Sequence, residues 1–332
     1  MPDFEKFDEL QKKVNERYYR KRGRKIYSDF KTFGSSDKIA HANAIDFFSW
    51  LNENYDGSEI CVYDFGIGNG LFSKFFLEKL HSLDGKREYV KGLNYFLCDI
   101  SEELLQKAGK EMGKYGVDVI LCDANGGLDF LGGASYIRSN EMYDDLPARI
   151  FVRNAEGICE VLMNEEMKRK YVPADIDKQL ERFLMKMPSD YEIPINFSAK
   201  KHLKECVRNL KKNGYLDIFD YGFSSAHEMI QMPCDIWNNA IVREFNSQLT
   251  IDVNFIHLAQ GFNASISPQK EYAEKVLGEK LHYVEMDQLY YFNNKQVQKN
   301  LKSMEKFGYP NDFLESGIRE IDDYKHLRVW KK

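Results

Sequence analysis

No stretch of this 332-residue chain approaches the ~18 continuous apolar residues of a membrane-spanning helix, because Lys, Asp or Glu interrupts every hydrophobic run. A soluble protein without membrane insertion is expected. The N-terminal string MPDFEKFDELQKKVNERYYRKRGRK lacks the apolar core of a secretory signal, so the expected compartment is the cytoplasm. Cysteines are few and scattered: Cys61, Cys98, Cys122, Cys159, Cys206 and Cys234 form no CxxC, and the first three sit in apolar runs, as small buried hydrophobes do. The seven histidines make no HxxxH or HxH group, so no metal site is expected. Positive charge is not in excess either. Lys and Arg total 47 against 52 Asp and Glu, a net charge of -5, which removes the basic footprint of a nucleic-acid binder. What is abundant is core material, with 43% hydrophobic and 14% aromatic side chains.

Short apolar runs alternate with helical patterns from Glu59 to Ile150, which predicts βαβ units and a mostly parallel sheet. The runs are Ile60 to Phe65, Tyr95 to Cys98, Val117 to Cys122 and Ala134 to Ile137. Leu71, Phe72, Phe75, Phe76 and Leu80 recur at helical spacing and form the first crossover. Ser101 is placed to cap a second helix, with Glu102 and Glu103 in its first turn and Leu104, Leu105, Ala108 and Met112 as its buried stripe. Between Glu156 and Asn213 the pattern turns helical and highly charged, with one stripe at Leu180, Phe183, Leu184 and Met187 and another at Leu203, Cys206, Val207 and Leu210. A helical insertion over 155–213 is therefore predicted. Tyr215 to Tyr221 then reads as a strand, as does His326 to Trp330, and Leu249, Ile251, Val253 and Phe255 alternate like a strand with one apolar face. The resulting division is an N-terminal helical segment packed on the core over 1–58, a core over 59–154 and 214–332, and the insertion between them.

The string ICVYDFGIGNGLFSKFF carries a strand into Asp64, Gly66, Gly68 and Gly70 and then into a helix. Glycines let a backbone turn sharply beside a ligand, and the helix start beyond offers unpaired N–H groups. A dinucleotide fingerprint fails here, because Leu71 stands where its third Gly or Ala belongs and the next strand-end acid is Asp99. GxGxG with Asp64 before it, Asp99 after the second strand and Asp123 after the third resembles instead the class I S-adenosylmethionine methyltransferases. That resemblance implies a Rossmann-like, mostly parallel seven-stranded sheet with S-adenosyl-L-methionine as cofactor. The glycine loop would pass under its methionine part, Asp99 would accept from the ribose hydroxyls, and Asp123 would lie near the adenine amine. Carboxylates fixed at strand ends suit neutral hydroxyl and amine donors.

A closer resemblance comes from YIRSNEMYDDLPARIFVRNAEGICEVL, Tyr136 to Leu162. Asn140, Glu141, Asp144, Leu146, Pro147 and Glu160 in that string are similar to the pattern of the MidA-like methyltransferases, which include a mitochondrial complex I assembly factor. NGYLDIFDYGF (Asn213 to Phe223), QLTIDVNF (Gln248 to Phe255) and YYRKRGRKIYSDFKTFG upstream resemble that family's segments in the same order. Four positions depart from it: Asp145 replaces a small residue before Leu-Pro, Ser28 replaces a Gly before Asp29, and Asp64 and Asn69 stand in a first loop that commonly has other residues. The resemblance implies N-methylation of an arginine in a protein subunit of a larger complex. Glu141 and Asp144, leaving the fourth strand three residues apart, would hold the guanidinium and serve as catalytic carboxylates, with Asn140 orienting them. Asp220 and Tyr221 end the next strand and would contact substrate, and Asp29 and Thr32 would close over the cofactor.

Structural alternatives stand beside these roles. Glu141 has Arg138 nearby as an ion-pair partner, and Asp144 or Asp145 is placed to cap the turn before Pro147. Lys200, Lys201, Lys204, Lys211 and Lys212 make a basic face that reads as a solvated one. Two other functions fit the same residues: a slow or inactive assembly factor that binds the cofactor and a partner, and a methyltransferase for small molecules or RNA.

Overall fold

The computed structural model describes residues 3–22, 37–86, 88–245, 247–281 and 324–331. Asp29 and Thr32 lie outside the described residues. In chain order the elements are β1 (Glu5–Lys6), α1 (Phe7–Arg22), α2 (Asp37–Asn54), β2 (Ile60–Phe65), α3 (Leu71–Leu83), β3 (Leu93–Asp99), α4 (Glu102–Met112), β4 (Val117–Leu121), β5 (Ala134–Asn140), β6 (Arg149–Asn154), β7 (Gly157–Met163) and β8 (Arg169–Pro173). After them come α5 (Lys178–Leu184), β9 (Glu192–Ile195), α6 (Phe197–Asn209), β10 (Leu210–Phe223), α7 (Ala226–Ile230), α8 (Cys234–Ala240), β11 (Val242–Phe245), β12 (Gln248–Ile251), β13 (Val253–Asn254), α9 (Phe255–Ala259), β14 (Asn263–Pro268), α10 (Gln269–Leu277) and β15 (Tyr324–Trp330).

The main sheet runs β14-β15-β10-β5-β2-β3-β4, with β13 paired to β10 off that path. The pairs from β4 to β10 are parallel, and β15 runs against both of its neighbours. This is the mostly parallel Rossmann-like sheet that the alternation predicts. Its central strand β2 is buried at every residue, as a strand covered on both faces must be, whereas the edge strand β4 leaves Val119 and Leu121 exposed. On one face Val62, Tyr95, Leu97 and Tyr136 meet Phe47 of α2, Phe76 of α3 and Ala108 of α4. On the other, Tyr63, Phe65, Ile137 and Ile218 meet Leu203 and Cys206 of α6. Each fully buried aromatic or branched side chain in these layers contributes roughly 1.5–3 kcal/mol.

The α4 expectation holds in detail: the Ser101 hydroxyl accepts from the Leu104 N–H, and Leu104, Leu105, Ala108 and Met112 are its buried residues. Two expectations need correction. The stretch 155–213 does contain α5 and α6 on the apolar stripes read above, but it also holds β7, β8 and β9, which join β6 and β1 in a second, antiparallel sheet. β8 keeps most of its charged residues half-buried or exposed, so it lacks the clean alternation that marks a strand. The run from Leu249 to Phe255 is not one strand with one apolar face. β12 pairs with β11, β13 pairs with β10, and Phe255 opens α9. Its polar members Thr250, Asp252 and Asn254 are buried as well.

Candidate active site

The end of β2 is shaped by glycine. Gly66, Gly68 and Gly70 take φ of +66°, +54° and +75°, a left-handed backbone that L side chains rarely adopt. At Gly66 a Cβ would stand 2.7 Å from the Met142 Cβ, so the loop also needs the missing side chain for space. The Gly66 N–H donates to the Cys98 carbonyl (2.9 Å) and the Gly68 N–H to Asp99 Oδ2 (3.3 Å), which ties the loop to the end of β3. Asp99 Oδ1 accepts from the Ser101 N–H at 2.8 Å. Burial pushes the Asp99 carboxyl up to about 6, opposed by the N–H groups of Ser101, Gly68, Ile100 and Ile67. One strand further, the Cys122 N–H donates to the Asp99 carbonyl, and Asp123 is exposed with Oδ1 accepting from the Asn125 N–H at 2.8 Å.

These strand ends share a cavity of about 570 Å³ with the residues that follow β5. Asp64, Gly66, Gly68, Asp99, Asp123, Asn140, Glu141, Asp144 and Tyr221 all line it, so most of the residues singled out in the sequence do converge. Asp64 has a further commitment. Its Oδ2 accepts from Arg138 Nη2 (2.5 Å), Ser73 Oγ (2.6 Å) and Tyr95 OH (2.6 Å), all buried. Arg138 is thus held by Asp64 and, through Nη1, by Asn43 Oδ1 at 3.0 Å. This answers the structural alternative for Glu141, since the Arg138 ion pair goes to Asp64.

Glu141 leaves β5 at φ +49°, in the left-handed region, with its N–H bonded to the Phe219 carbonyl at 2.8 Å. Such a conformation costs a non-glycine residue about 1–2 kcal/mol, so the adjoining strand must hold it. Asp144 is 4% exposed, and burial lifts its carboxyl to about 6 while the Tyr221 hydroxyl and the Arg243 charge act in the opposite direction. Asp145 is raised well above its ordinary range by burial and by the adjacent Asp144. Among the described residues no hydrogen-bond donor reaches Asn140 Oδ1, Asp144 Oδ1 or Asp145 Oδ1, although all three atoms are buried. Asp220, expected at the rim, is fully buried and does not line the cavity. It accepts from the N–H groups of Tyr143 (2.8 Å), Asp144 (3.3 Å) and Tyr221 (2.9 Å), and so anchors the loop that carries Asp144 from behind. Tyr221 does face the cavity, with its hydroxyl donated to Thr250 Oγ1.

Sequence reading missed another wall, made by α1 and the β11–β12 hairpin. Lys12, Asn15, Glu16 and Tyr19 line it from the helix, and Arg243, Glu244, Gln248 and Thr250 from the hairpin. Two buried amides join these parts. Asn15 Nδ2 donates to the Leu249 carbonyl (3.0 Å) while its Oδ1 accepts from the Leu249 N–H (2.8 Å). Gln11 Nε2 donates to the carbonyls of Asp144 (3.0 Å) and Leu249 (3.2 Å), and its Oε1 accepts from the Ala148 N–H (3.2 Å). Arg243 lies over the Tyr221 ring at 4.4 Å and pairs with Asp252 at 3.1 Å. In a helix as charged as α1, Gln11 and Asn15 read as solvent-facing, and only their recurrence on one face four residues apart hints otherwise. Among the described residues, eight carboxylates line the cavity against two cationic side chains, Lys12 and Arg243.

A family model for S-adenosyl-L-methionine-dependent methyltransferases matches residues 44–265. Among solved structures, a protein from Burkholderia thailandensis bound to S-adenosyl-homocysteine superposes with a TM-score of 0.64 at 16% identity, covering 98% of this chain and 88% of that one. A native crystal structure from the same organism gives 0.61 at 16% identity, with 99% and 87% covered. At this identity both show the fold. No curated protein matches the sequence.

Proposed function

The chain belongs to this family of S-adenosyl-L-methionine-dependent methyltransferases, and from that premise we infer that it is a MidA-like protein N-methyltransferase whose acceptor is an arginine of a partner subunit. The cofactor is S-adenosyl-L-methionine. The residues at the strand ends fit it: three left-handed glycines leave room beside the loop, Asp99 offers a fixed carboxylate for ribose hydroxyls, and exposed Asp123 offers another for an amine. When bound, the cofactor supplies a methyl group on a sulfonium. The chain's own work is then to align the acceptor nitrogen, exclude water around it and receive the proton that the nitrogen gives up.

The observation that carries the arginine reading is the set of buried acceptor atoms at Asn140 and Asp144 that have no donor among the described residues, beside Glu141 in a cavity rich in carboxylates. A planar cation with several N–H groups satisfies such a set and also balances the carboxylate charge, which a neutral donor leaves uncompensated and an anion opposes. Glu141 and Asp144 therefore hold the guanidinium, Asn140 orients it, and Asp144, raised to about 6, is suited to take a proton near neutral pH. Tyr221 stands beside Asp144 as part of the same wall.

Incubation with methyl-labelled cofactor and a lysate of the source cells tests this. Label is expected on one protein band, in an acid-stable methylarginine, and Glu141→Gln should lower its transfer roughly 10²- to 10⁴-fold. Label confined to RNA or to a small-molecule fraction would overturn the protein reading, and cofactor binding without any labelled product would favour the assembly role.

A further inference from the structure

The loop after β5 carries a carboxylate that the roles above leave unused. Asp145 is fastened on one side only: its Oδ2 accepts from Gln248 Nε2 of β12 (2.5 Å) and from the Tyr19 hydroxyl of α1 (3.4 Å). Gln248 Nε2 also reaches the Tyr19 hydroxyl at 3.4 Å, so the three groups form one closed cluster drawn from three separate elements. Oδ1 of Asp145 is buried and without a donor among the described residues, and Asp145 itself lines the cavity. Its neighbour Asp144 lines the same cavity, is 4% exposed and has an Oδ1 in the same condition. Two adjacent carboxylates, each with an oxygen shut away from water, are costly when both are ionised, and a shared proton or a cation between them relieves that cost.

We propose that Asp145 is a second acceptor-binding carboxylate, and that with Asp144 it forms a two-point clamp for a planar guanidinium. The clamp rests on the arginine reading given above and specifies how the acceptor is gripped. A guanidinium presents N–H groups in a fixed fork that spans two carboxylates, whereas an ammonium is a point charge and makes poorer use of a pair. Selection of arginine over lysine follows. Among the described residues, the charged or titratable groups that act on the pair are Glu141 on the same loop, Asp220 and Tyr221 from β10, Tyr19 from α1, Arg243 from β11 and Tyr324 from β15, and Lys12, Glu16 and Glu244 line the same cavity. In this acidic setting the pair keeps a proton near neutral pH, and a bound guanidinium releases it to solvent.

Calorimetry on the protein saturated with S-adenosyl-homocysteine tests the clamp, with methylguanidinium, a blocked arginine peptide and the matching lysine peptide as probes. Titrations near pH 6.5 in two buffers of different ionisation heat report proton release. The wild-type protein should bind the arginine peptide more tightly than the lysine peptide and release protons as it does so. Asp145→Ala should weaken arginine-peptide binding roughly 10- to 100-fold and reduce the release, while S-adenosyl-homocysteine affinity stays within about twofold. Asp145→Asn keeps the shape and removes the charge, so it should show the same loss if charge is the cause. Unchanged peptide binding and proton release in both variants would overturn the clamp while leaving the arginine reading intact. A parallel loss of S-adenosyl-homocysteine affinity would overturn it too, by making Asp145 a structural residue. If wild-type protein binds and methylates no arginine peptide, the arginine reading and the clamp fall together.

Discussion

Asp64 and the Asp144–Asp145 pair line one cavity, yet the chain treats them differently. Asp64 is given a guanidinium of its own: Arg138 reaches it at 2.5 Å, both side chains are almost wholly buried, and the guanidinium lies over Phe72 and Phe76 at 4.6 and 4.1 Å. Asp145 receives an amide and a hydroxyl, and Arg243, the cation beside Asp144, is paired with Asp252. A carboxylate that carries its own partner belongs to the scaffold, because nothing needs to arrive for it to be stable. A carboxylate with an oxygen left without a donor is built for something that comes and goes. Asp64 lies in β2 and the pair follows β5, which is paired with β2, and Asp144 at 4% exposed is as buried as Asp64 at 3%, so the difference lies in local chemistry and not in burial as such.

The strongest way to break this comparison is to remove the scaffold cation. Arg138→Met should cost about 3–5 kcal/mol of stability in a urea titration, since it leaves Asp64 buried without its charge partner. Cofactor affinity should fall with it, because Asp64 leads into the glycine loop. A cost under about 1 kcal/mol would mean that the ion pair does not hold the scaffold and that the contrast is false. Gly66→Ala should come next. The left-handed backbone alone costs about 1–2 kcal/mol, and the new Cβ would press on the Met142 side chain, so S-adenosyl-homocysteine affinity should drop by at least tenfold. Fold stability should change less than in Arg138→Met, which separates the loop from the ion pair behind it.

Asn15→Ala sharpens the other half of the comparison. It removes both hydrogen bonds to the Leu249 backbone, for a loss of about 1.5 kcal/mol in thermal or chemical unfolding. Because those bonds hold α1 on β12, and these elements position Tyr19 and Gln248 on Asp145, the acceptor side should loosen before the cofactor side does. A rise in the KM for an arginine peptide with an unchanged KM for the cofactor is the expected pattern, and equal changes in both would argue that α1 supports the whole cavity alike.

How much of this was legible in the sequence follows from the range of the interactions involved. The Ser101 cap depends on residues within a few positions of one another, and pattern reading found it; the glycine loop, Asp99 and Asp123 were legible as positions at strand ends, because each directly follows an apolar run. The mostly parallel core sheet followed from the alternation of short apolar runs with helices. Arg138 was legible only as a charge inside an apolar strand, because its partners Asp64 and Asn43 are 74 and 95 positions away in the chain. Gln11 and Asn15 were hidden for the same reason, with bonds that span more than 130 residues. Asp220 was placed at the right strand end but on the wrong side of the wall, since a strand end fixes where a residue sits and not which backbone groups claim its side chain. The second sheet escaped because β8, an edge strand with exposed charges, carries little periodic signal.

The smallest predicted effect is a pH dependence, and it divides the two halves of the cavity once more. Asp99 and Asp144 are both raised to about 6 by burial. In an unfolded chain a carboxyl near 3.9 has already lost its proton at that pH, so between about pH 4 and 6 the folded state holds more protons and the free protein loses stability as pH rises. Cofactor binding should run the other way. Ribose hydroxyls donate best to an ionised carboxylate, so affinity should increase between about pH 5.5 and 7.5, by roughly fourfold for a group that titrates near 6, and level off above. Calorimetric titration with S-adenosyl-homocysteine across that interval checks it. Asp144→Asn should leave the fourfold rise in place on the proposed reading, in which Asp144 serves the acceptor, whereas Asp99→Asn should bind weakly at every pH and flatten the profile. If Asp144→Asn flattens it instead, the two carboxylates titrate as one system and the division of the cavity into a cofactor half and an acceptor half has to be given up.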